Sequence, residues 1–377
     1  MRRLERELVV TVIAVLVAMA VGSLLVLAYG RSPMAVYGLM LRESWGSLDG
    51  VTDVAFRAGP LILTGLAVAV AFRAGLFNIG AEGQAVAGAF AAAVVGTHMG
   101  GVPVGLAALV CLVVAMLVGG GAGALPGALK ARFGVHEVIS TMMLNFILVI
   151  IIKQLGTDHF YAFHQEHTVA IAASARLPAL GDAAGGARGF GVAGLLALAA
   201  AGAVAWLFAR TRVGFELRAL GASPAAAEAA GVRPGRAMVI AMALSGALAG
   251  LTAGGLVLGY KGYFQADLVT GYGFMGIAVA LLGRSRPLGV VLAALLLATL
   301  ARGGVAAATM VPRELVDVLQ ATLILAVAAV TAVGRRLPEV GAGDAEAEDP
   351  GAGAEAETGT GTGTGTGTDD GVAKAVH

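Results

Sequence analysis

Long apolar segments separated by short polar or glycine-rich stretches make up most of the chain. An α-helix rises about 1.5 Å per residue, so about 20 apolar residues are needed to cross a membrane. Two segments, 85–99 and 271–283, are short and glycine-rich and are predicted to be tilted, broken or re-entrant. Eight others are predicted to cross as continuous helices: 8–29, 54–72, 102–129, 138–152, 190–209, 237–259, 287–303 and 318–334. The pattern predicts an all-α polytopic membrane protein with about ten transmembrane helices.

The composition supports a membrane protein and sets the C-terminal end apart. The 377 residues are 58% hydrophobic and 13% charged, with a mean hydropathy of +0.85. These values exclude an ordinary soluble domain. The segment 337–377 contains an acidic stretch and a Thr-Gly repeat without an apolar face, so it is predicted to be a disordered cytoplasmic tail. The basic excess of the remaining chain is interpreted as membrane topology and not as nucleic-acid binding.

Basic residues predict how the helices are oriented. With the N-terminal segment 1–7 inside, and the tail 337–377 left out of the count, fifteen basic residues fall in the cytoplasm and nine on the opposite side. The pairs Lys130 with Arg132 and Arg335 with Arg336 abut helix ends on the cytoplasmic side, as the positive-inside rule requires. Both termini are therefore predicted to be cytoplasmic. The domain 8–336 is predicted to be the membrane domain of a multi-pass plasma-membrane protein.

Ten crossings divide into two halves of five, and an odd number per half gives two related halves opposite orientations. A glycine-interrupted segment occurs in each half, in the regions 75–99 and 271–283. Paired interruptions of this kind indicate a substrate pathway in inverted-repeat transporters. Glycine also allows helices to approach closely, and this structural use is the expectation for Gly246, Gly250 and Gly254, which are four residues apart.

Motifs typical of enzymes are absent from the sequence. No phosphate loop G-x-x-x-x-G-K-[ST], G-x-S-x-G elbow or H-E-x-x-H motif occurs, so the chain is not expected to hydrolyse ATP, catalyse a reaction or bind a cofactor. Its single cysteine, Cys111, lies in an apolar run and is expected to be buried. No metal site is expected, because His159, His164 and His167 follow no rigid ligand spacing and are interpreted as part of an outer loop.

The segment 73–84 places polar residues between two apolar runs. Asn78, Glu82 and Gln84 occur there together with three glycines that permit non-helical backbone. An ionisable residue at membrane depth is costly unless it faces water or a partner, so Glu82 is a candidate for a pathway or a gate. A solvated cytoplasmic turn remains the alternative. Thr141 and Asn145, four residues apart on one helix face, either contact substrate or bond to a neighbouring helix.

The long cytoplasmic loop 210–236 contains its own predicted helix. Ser223 suits the N-cap, Pro224 the first helical position and Gly231 the left-handed position after the helix. Alanines and Glu228 fill the two turns between them. A helix this short is unstable alone, so it is expected to dock on a partner protein. An ordinary connector is the alternative.

Three stretches together resemble a known family. They are 75–84 (GLFNIGAEGQ), 218–232 (RALGASPAAAEAAGV) and 271–283 (GYGFMGIAVALLG). The chain, from 8 to 336, is similar to the permease subunits of ATP-binding-cassette importers in the group that imports ribose, branched-chain amino acids and nucleosides. The sequences of residues 76–84 and 138–145 (VISTMMLN) resemble those of the branch that imports nucleosides. Ser223 stands where this family pattern leads us to expect Asn, and either residue caps a helix.

The resemblance implies a substrate pathway, a coupling helix and several partners. The implied partners are a second permease subunit, identical or related, a cytoplasmic ATPase that binds ATP and Mg²⁺, and an extracellular substrate-binding lipoprotein. The predicted pathway residues are Phe77, Asn78, Glu82, Gln84, Thr141, Asn145 and Phe274, with Phe77 as a base-stacking wall. The predicted ATPase-coupling residues are Arg218, Gly221, Ser223, Pro224, Ala226, Ala227, Glu228 and Gly231.

Other functions are open at this point. The same permease role fits a simple sugar such as ribose, or branched-chain amino acids. An ion-coupled secondary transporter also has ten helices in inverted halves, but more buried ionisable residues than Glu82 are expected for ion coupling. A non-transporting scaffold is disfavoured, because polar, glycine-broken segments in a membrane are costly.

Overall fold

The computed structural model describes residues 16–178 and 191–336. The predicted N-terminal segment 1–7, the predicted tail 337–377 and the predicted starts of two spans at 8 and 190 lie outside the described residues. The helices are α1 Leu16–Ala28, α2 Pro33–Trp45, α3 Leu48–Arg73, α4 Ala81–Thr97, α5 Val104–Phe133, α6 Glu137–Leu155, α7 Val192–Arg210, α8 Arg212–Ala222, α9 Pro224–Ala229, α10 Pro234–Gly250, α11 Tyr272–Leu282, α12 Pro287–Ala307 and α13 Arg313–Arg336. The described residues are thus all-α, as predicted.

Within residues 16–178 and 191–336, six helical segments are long and apolar enough to cross a membrane. They are α3, α5, α6 with its continuation to Phe160, α7, α10 with its continuation to Lys261, and α12; the bent pair of α1 and α2 makes a seventh if it is one span. The two glycine-rich segments fall short of this length, since α4 has 17 residues and α11 has 11. The chain is therefore a multi-pass helical membrane protein, and helix length in the described part of the chain does not confirm the predicted count of ten.

The close approach predicted from the glycine spacing is confirmed. A methyl group at Gly246 would collide with the carbonyl of Gly119, and one at Gly250 with the carbonyl of Ala115. These glycines allow α10 to lie backbone to backbone against α5. Most of α4 is buried, from Ala81 to Ala93 with the exception of Ala91. Gly88 of this helix lies against Gly250, on the same glycine face of α10. Helix α4 is therefore an interior helix of the bundle.

Two helices were not predicted from the sequence. Helix α2 begins at Pro33, after Gly30 with a φ of 76°, and its axis is bent by 117° from α1. It contains Arg42 and Glu43, which lower its hydropathy below that of a spanning segment. Helix α8 is a short amphipathic helix whose N-cap Thr211 accepts a hydrogen bond from the amide of Gly214 at 3.0 Å.

The connection between α10 and α11 returns into the bundle. Helix α10 continues as a π-helical segment to Lys261, and the chain then turns at Gly262, which has a φ of 74°. The amide of Thr168 donates to the carbonyl of Phe264 at 3.0 Å, and the Phe264 ring lies 5.4 Å from the ring of Phe90 in the middle of α4. Phe264 is fully buried there, so this part of the connection packs inside the bundle, whereas Asp267 and Thr270, nearer to α11, are exposed.

Candidate functional site

The segment between α3 and α4 runs back along α3 instead of staying at the end of the bundle. The chain reverses at Gly75, which has a φ of 71°. Asn78 then reaches Ser245 in α10 with a hydrogen bond of 2.8 Å, and the Ser245 hydroxyl donates to the carbonyl of Ala67 in α3 at 2.6 Å. Ala67 precedes the end of α3 by six residues, or about 9 Å along the helix. Helix α4 therefore begins inside the bundle.

Asn78 and Gln84 form a reciprocal amide pair at this depth. The Asn78 Nδ2 atom donates to Gln84 Oε1 at 2.8 Å, and Gln84 Nε2 donates to Asn78 Oδ1 at 3.1 Å. Both side chains have no exposed surface. Buried amides that are fully hydrogen-bonded fix the backbone around them. In the observed conformation the pair holds the first turn of α4 to the 74–80 segment and, through Ser245, to α10.

Glu82 joins the two glycine-interrupted segments of the chain. Its Oε2 atom accepts a hydrogen bond from the amide of Gly271 at 3.0 Å, and the amides of Gly273 and Phe274 also face the carboxylate. Gly271 is the N-cap position of α11, so Glu82 caps that helix from another part of the chain. Glu82 is 7% exposed, which excludes the solvated turn for this conformation.

Thr141 and Asn145 lie on the buried face of α6, against α4 and the segment before it. The Thr141 hydroxyl donates to the carbonyl of Glu137 at 2.7 Å and accepts from the amide of Ile79 at 3.3 Å. Asn145 is 4% exposed, and its Oδ1 atom has no hydrogen-bond partner. This oxygen lies against Gly83, where a methyl group would come within 2.8 Å of it.

The two aromatic residues predicted for the pathway are more accessible. Phe77 is half-buried, and its ring lies 4.8 Å from that of Phe72. Phe274 in the first turn of α11 is 47% exposed. Of the predicted pathway residues, these two rings and the edge of Glu82 therefore offer the surface that a passing molecule can reach in this conformation.

The predicted helix in the loop 210–236 is present as α9. The Ser223 hydroxyl accepts from the amide of Ala226 at 3.3 Å, Pro224 is the first helical residue, and Gly231 has a φ of 83°. Ala226 and Glu228 are exposed, whereas Ala227 is 2% exposed and packs inside the chain. A partner can therefore reach Ala226 and Glu228 on α9 but not Ala227.

Two other predicted coupling residues lie on α8. Arg218 is exposed, and Gly221 packs against the reversal of the 74–80 segment. A methyl group at Gly221 would lie 3.0 Å from the amide of Gly75 and would collide with the carbonyl of Arg73. The loop 210–236, which is predicted to couple to an ATPase, and the segment that carries Asn78 are therefore in direct contact.

Sequence reasoning missed Ser245 and Arg73. Ser245 lies in an apolar helix, where a lone hydroxyl gives no sign that it bonds an amide from a distant segment. Arg73, the first residue of the segment 73–84, was not among the predicted site residues, yet its guanidinium donates to the carbonyl of Ser285. Its position at the junction of an apolar helix and a glycine-rich segment was the available signal.

The predicted outer loop, which carries His159, His164 and His167, forms a cap at the other end of the bundle. His167 stacks on Tyr263 at 4.2 Å between ring centroids, and Phe163 at the tip of the loop is 87% exposed. Among the described residues, no group of three or more His, Cys, Asp or Glu side chains is arranged to hold a metal ion.

The amino-acid sequence is similar to one protein family and to several transport permeases. The family described as "Branched-chain amino acid transport system / permease component" matches residues 50–328. The guanosine ABC transporter permease protein NupP of Bacillus subtilis is 40% identical over 337 residues, 87% of this chain and 94% of its own. The nucleoside ABC transporter permease protein NupB of Lactococcus lactis is 32% identical over 91% of this chain and 96% of its own. The glucose ABC transporter permease protein TsgB13 of Haloferax volcanii is 36% identical over 83% and 85%. No solved structure matches the chain.

Proposed function

Because the chain belongs to the permease-component family of branched-chain amino acid transport systems, it is a membrane transport subunit, and we propose that it carries nucleosides into the cell. The observation that carries the substrate class is the similarity to permeases named for guanosine and for nucleosides, at 40% and 32% identity over most of both chains. The motifs at 76–84 and 138–145 lie within the matched region.

The proposed importer contains the partners that an ATP-binding-cassette permease needs. A cytoplasmic ATPase binds ATP and Mg²⁺ and docks on α9, and an extracellular binding protein delivers the substrate. A second permease subunit, identical or related, completes the pathway. Two features support this arrangement: the exposed, capped helix α9, and α6, which buries only Glu137, Thr141, Asn145 and Ile152 and leaves its other faces to lipid or to a second subunit.

We propose ten crossings in two inverted halves, with both termini in the cytoplasm of a plasma-membrane protein. The contact between Glu82 and Gly271 supports this arrangement, because it joins the starts of two short helices, α4 and α11, one from each half. Short helices that begin inside a bundle, with their N-termini at the binding region, are typical of inverted-repeat transporters. Phe77, Glu82 and Phe274 would line the pathway between them.

The mechanism proposed is alternating access. Closure of the ATPases pulls the coupling loops and stabilises one orientation of the pathway over the other. ATP hydrolysis by the partner ATPase supplies the energy for uptake, and it acts by changing the relative stability of the two states and not through substrate binding alone. Glu82 at the junction of α4 and α11 is placed to respond to such a movement.

Uptake of labelled guanosine in cells with and without the gene tests the proposal. Loss of uptake on deletion, restored by the gene and blocked by unlabelled nucleosides but not by glucose, ribose or leucine, is the expected result. The relative named for glucose favours one alternative, the import of a simple sugar. Deletion that leaves guanosine uptake unchanged but abolishes glucose uptake would support that alternative.

A further inference from the structure

The end of α3 is the point where the coupling loop meets the substrate-pathway segment. Gly221 of α8 and Gly75 approach so closely that a methyl group at Gly75 would lie 3.2 Å from the Cα atom of Gly221. Side chains at either glycine would separate the two backbones. A displacement of α8 is therefore passed directly to the residues that lead into Asn78 and α4.

Arg73, two residues before Gly75, extends this junction to a third element. Its Nε atom donates to the carbonyl of Ser285 at 2.9 Å, in the turn between α11 and α12. Its guanidinium also lies 4.9 Å from the ring centre of Phe208 in α7, the helix that leads into the coupling loop. One half-buried arginine thus links the end of α3, α7 and the turn after α11.

The turn that Arg73 holds has an uncommon backbone. Arg284 and Ser285 have φ values of 52° and 54°, and neither is a glycine. Consecutive left-handed residues of this kind cost free energy and persist only where the surroundings fix them. The Ser285 amide donates to the carbonyl of Ala280 in α11 at 2.8 Å, so the turn is also tied to the last part of that helix. The main chain of Ser285 therefore connects Arg73 to the end of α11.

We propose that Arg73 is a positioning residue that makes the coupling loop and α11 move together. This inference rests on the proposed function, since it assigns a role within an ATP-driven permease. When the ATPase displaces α8 and α9, the Gly221–Gly75 contact moves the start of the 74–80 segment, and Arg73 moves the end of α11 with it. Helices α4 and α11, which meet at Glu82, then move at the same time.

Substitutions at Arg73 test the link in the complete importer with its ATPase and binding protein. Arg73→Gln removes the charged donor and the contact with Phe208, while Arg73→Lys keeps the charge. We expect Arg73→Gln to lower the substrate transported per ATP hydrolysed about tenfold or more, as expected for loss of a charge-assisted hydrogen bond. Arg73→Lys should restore part of it. Ser285→Ala is the matched control, because Arg73 bonds to the main chain of that residue, and it should match wild type.

A second measurement does not depend on the substrate. Spin labels at Ala222 of α8 and Leu288 of α12, both exposed, report the distance between the coupling loop and the turn after α11. The single native cysteine, Cys111, is buried and does not compete for the label. We expect the wild-type distance to stay the same between the nucleotide-free and vanadate-trapped complexes, and to shift or broaden on trapping in Arg73→Gln.

The outcomes separate this inference from the proposed function. If the wild-type importer transports no nucleoside but the label distance responds to Arg73→Gln as described, the substrate assignment fails and the role of Arg73 stands. If Arg73→Gln keeps both the wild-type transport ratio and a distance that is unchanged on trapping, the role of Arg73 is wrong. Arg73→Gln would also contradict the inference if it lost ATPase binding while its label distance in the isolated subunit equalled that of the wild type. Arg73 would then act on ATPase docking and not on the link to α11.

Discussion

At the scale of single residues, Glu82 shows how a carboxylate is accommodated inside the helical bundle. Its oxygen accepts from the N-terminal amide of α11, where the partial positive charge of the helix end stabilises a negative group. The same hydrogen bond connects parts of the chain 189 residues apart. Glu82 therefore contributes both to the stability of the α4–α11 junction and to the polar surface of the proposed pathway.

Substitution of Glu82 separates these two contributions. Glu82→Ala leaves the amide of Gly271 without its acceptor, which costs about 1–3 kcal/mol for a buried group. Glu82→Gln keeps an acceptor oxygen but loses the charge. We expect Glu82→Ala to abolish uptake while the subunit still assembles with its ATPase, and Glu82→Gln to retain part of the uptake. Wild-type uptake in Glu82→Ala would show that the carboxylate has no role in transport.

Gly273 is expected to tolerate no side chain. Its Cα lies against the backbone of Glu82, and a methyl group there would collide with the Glu82 Cα atom. Overpacking of this kind costs about 1–3 kcal/mol. Gly273→Ala should therefore lower the melting temperature of the purified subunit. Gly202→Ala in α7 is the matched control, because nothing lies within 4 Å of the added methyl group, and equal melting of the two variants would contradict the packing described.

At the scale of elements, the long helices could be predicted because their apolar runs exceed the membrane thickness. Helix α9 could be predicted from local capping signals, because Ser223, Pro224 and Gly231 set its two ends through residues adjacent in the sequence. Helix α2 was missed because its charged residues and Pro33 resemble those of a loop. The bonds from Arg73 to Ser285 and from Asn78 to Ser245 join distant segments, and no local pattern reveals such a pairing.

Helix α9 provides a direct test of docking. Ala226 is exposed, so Ala226→Trp adds bulk to the surface proposed to enter the ATPase without disturbing the packing of Ala227. We expect this variant to fold but to lose co-purification of the ATPase and transport. Ala203→Trp, at an exposed position of α7, is the control and should retain both. Normal co-purification and transport in Ala226→Trp would reject α9 as the docking helix.

Helix α2 is expected to present its apolar face to lipid. Met34, Leu41 and Trp45 are exposed along it, while Val36, Met40 and Ser44 face the bundle. Trp45 and Trp206 are the two tryptophans of the chain, so a Trp206→Phe variant reports on Trp45 alone. We expect brominated lipids to quench Trp45 fluorescence in proteoliposomes. Quenching by aqueous iodide but not by lipid would place this face in water.

At the scale of the whole molecule, the bundle is built around interior helices rich in small residues. Helix α4 is surrounded by α5, α6, α10 and α11, and its first turn carries the polar groups of the candidate site. The contact between Gly75 and Gly221 connects that turn to the proposed coupling loop at one end of the bundle. The proposed substrate pathway and the proposed ATPase-docking helix are thus linked within one subunit, as the proposed mechanism requires.

Transport by the purified importer tests the central claim most directly. The permease would be reconstituted in proteoliposomes with its ATPase and binding protein, and labelled guanosine accumulation would be measured with and without ATP. The account predicts accumulation that requires ATP hydrolysis, persists in the presence of ionophores and is competed by unlabelled nucleosides. Accumulation that is driven by an ion gradient without ATP, or no accumulation of any nucleoside by an importer that takes up glucose, would contradict it.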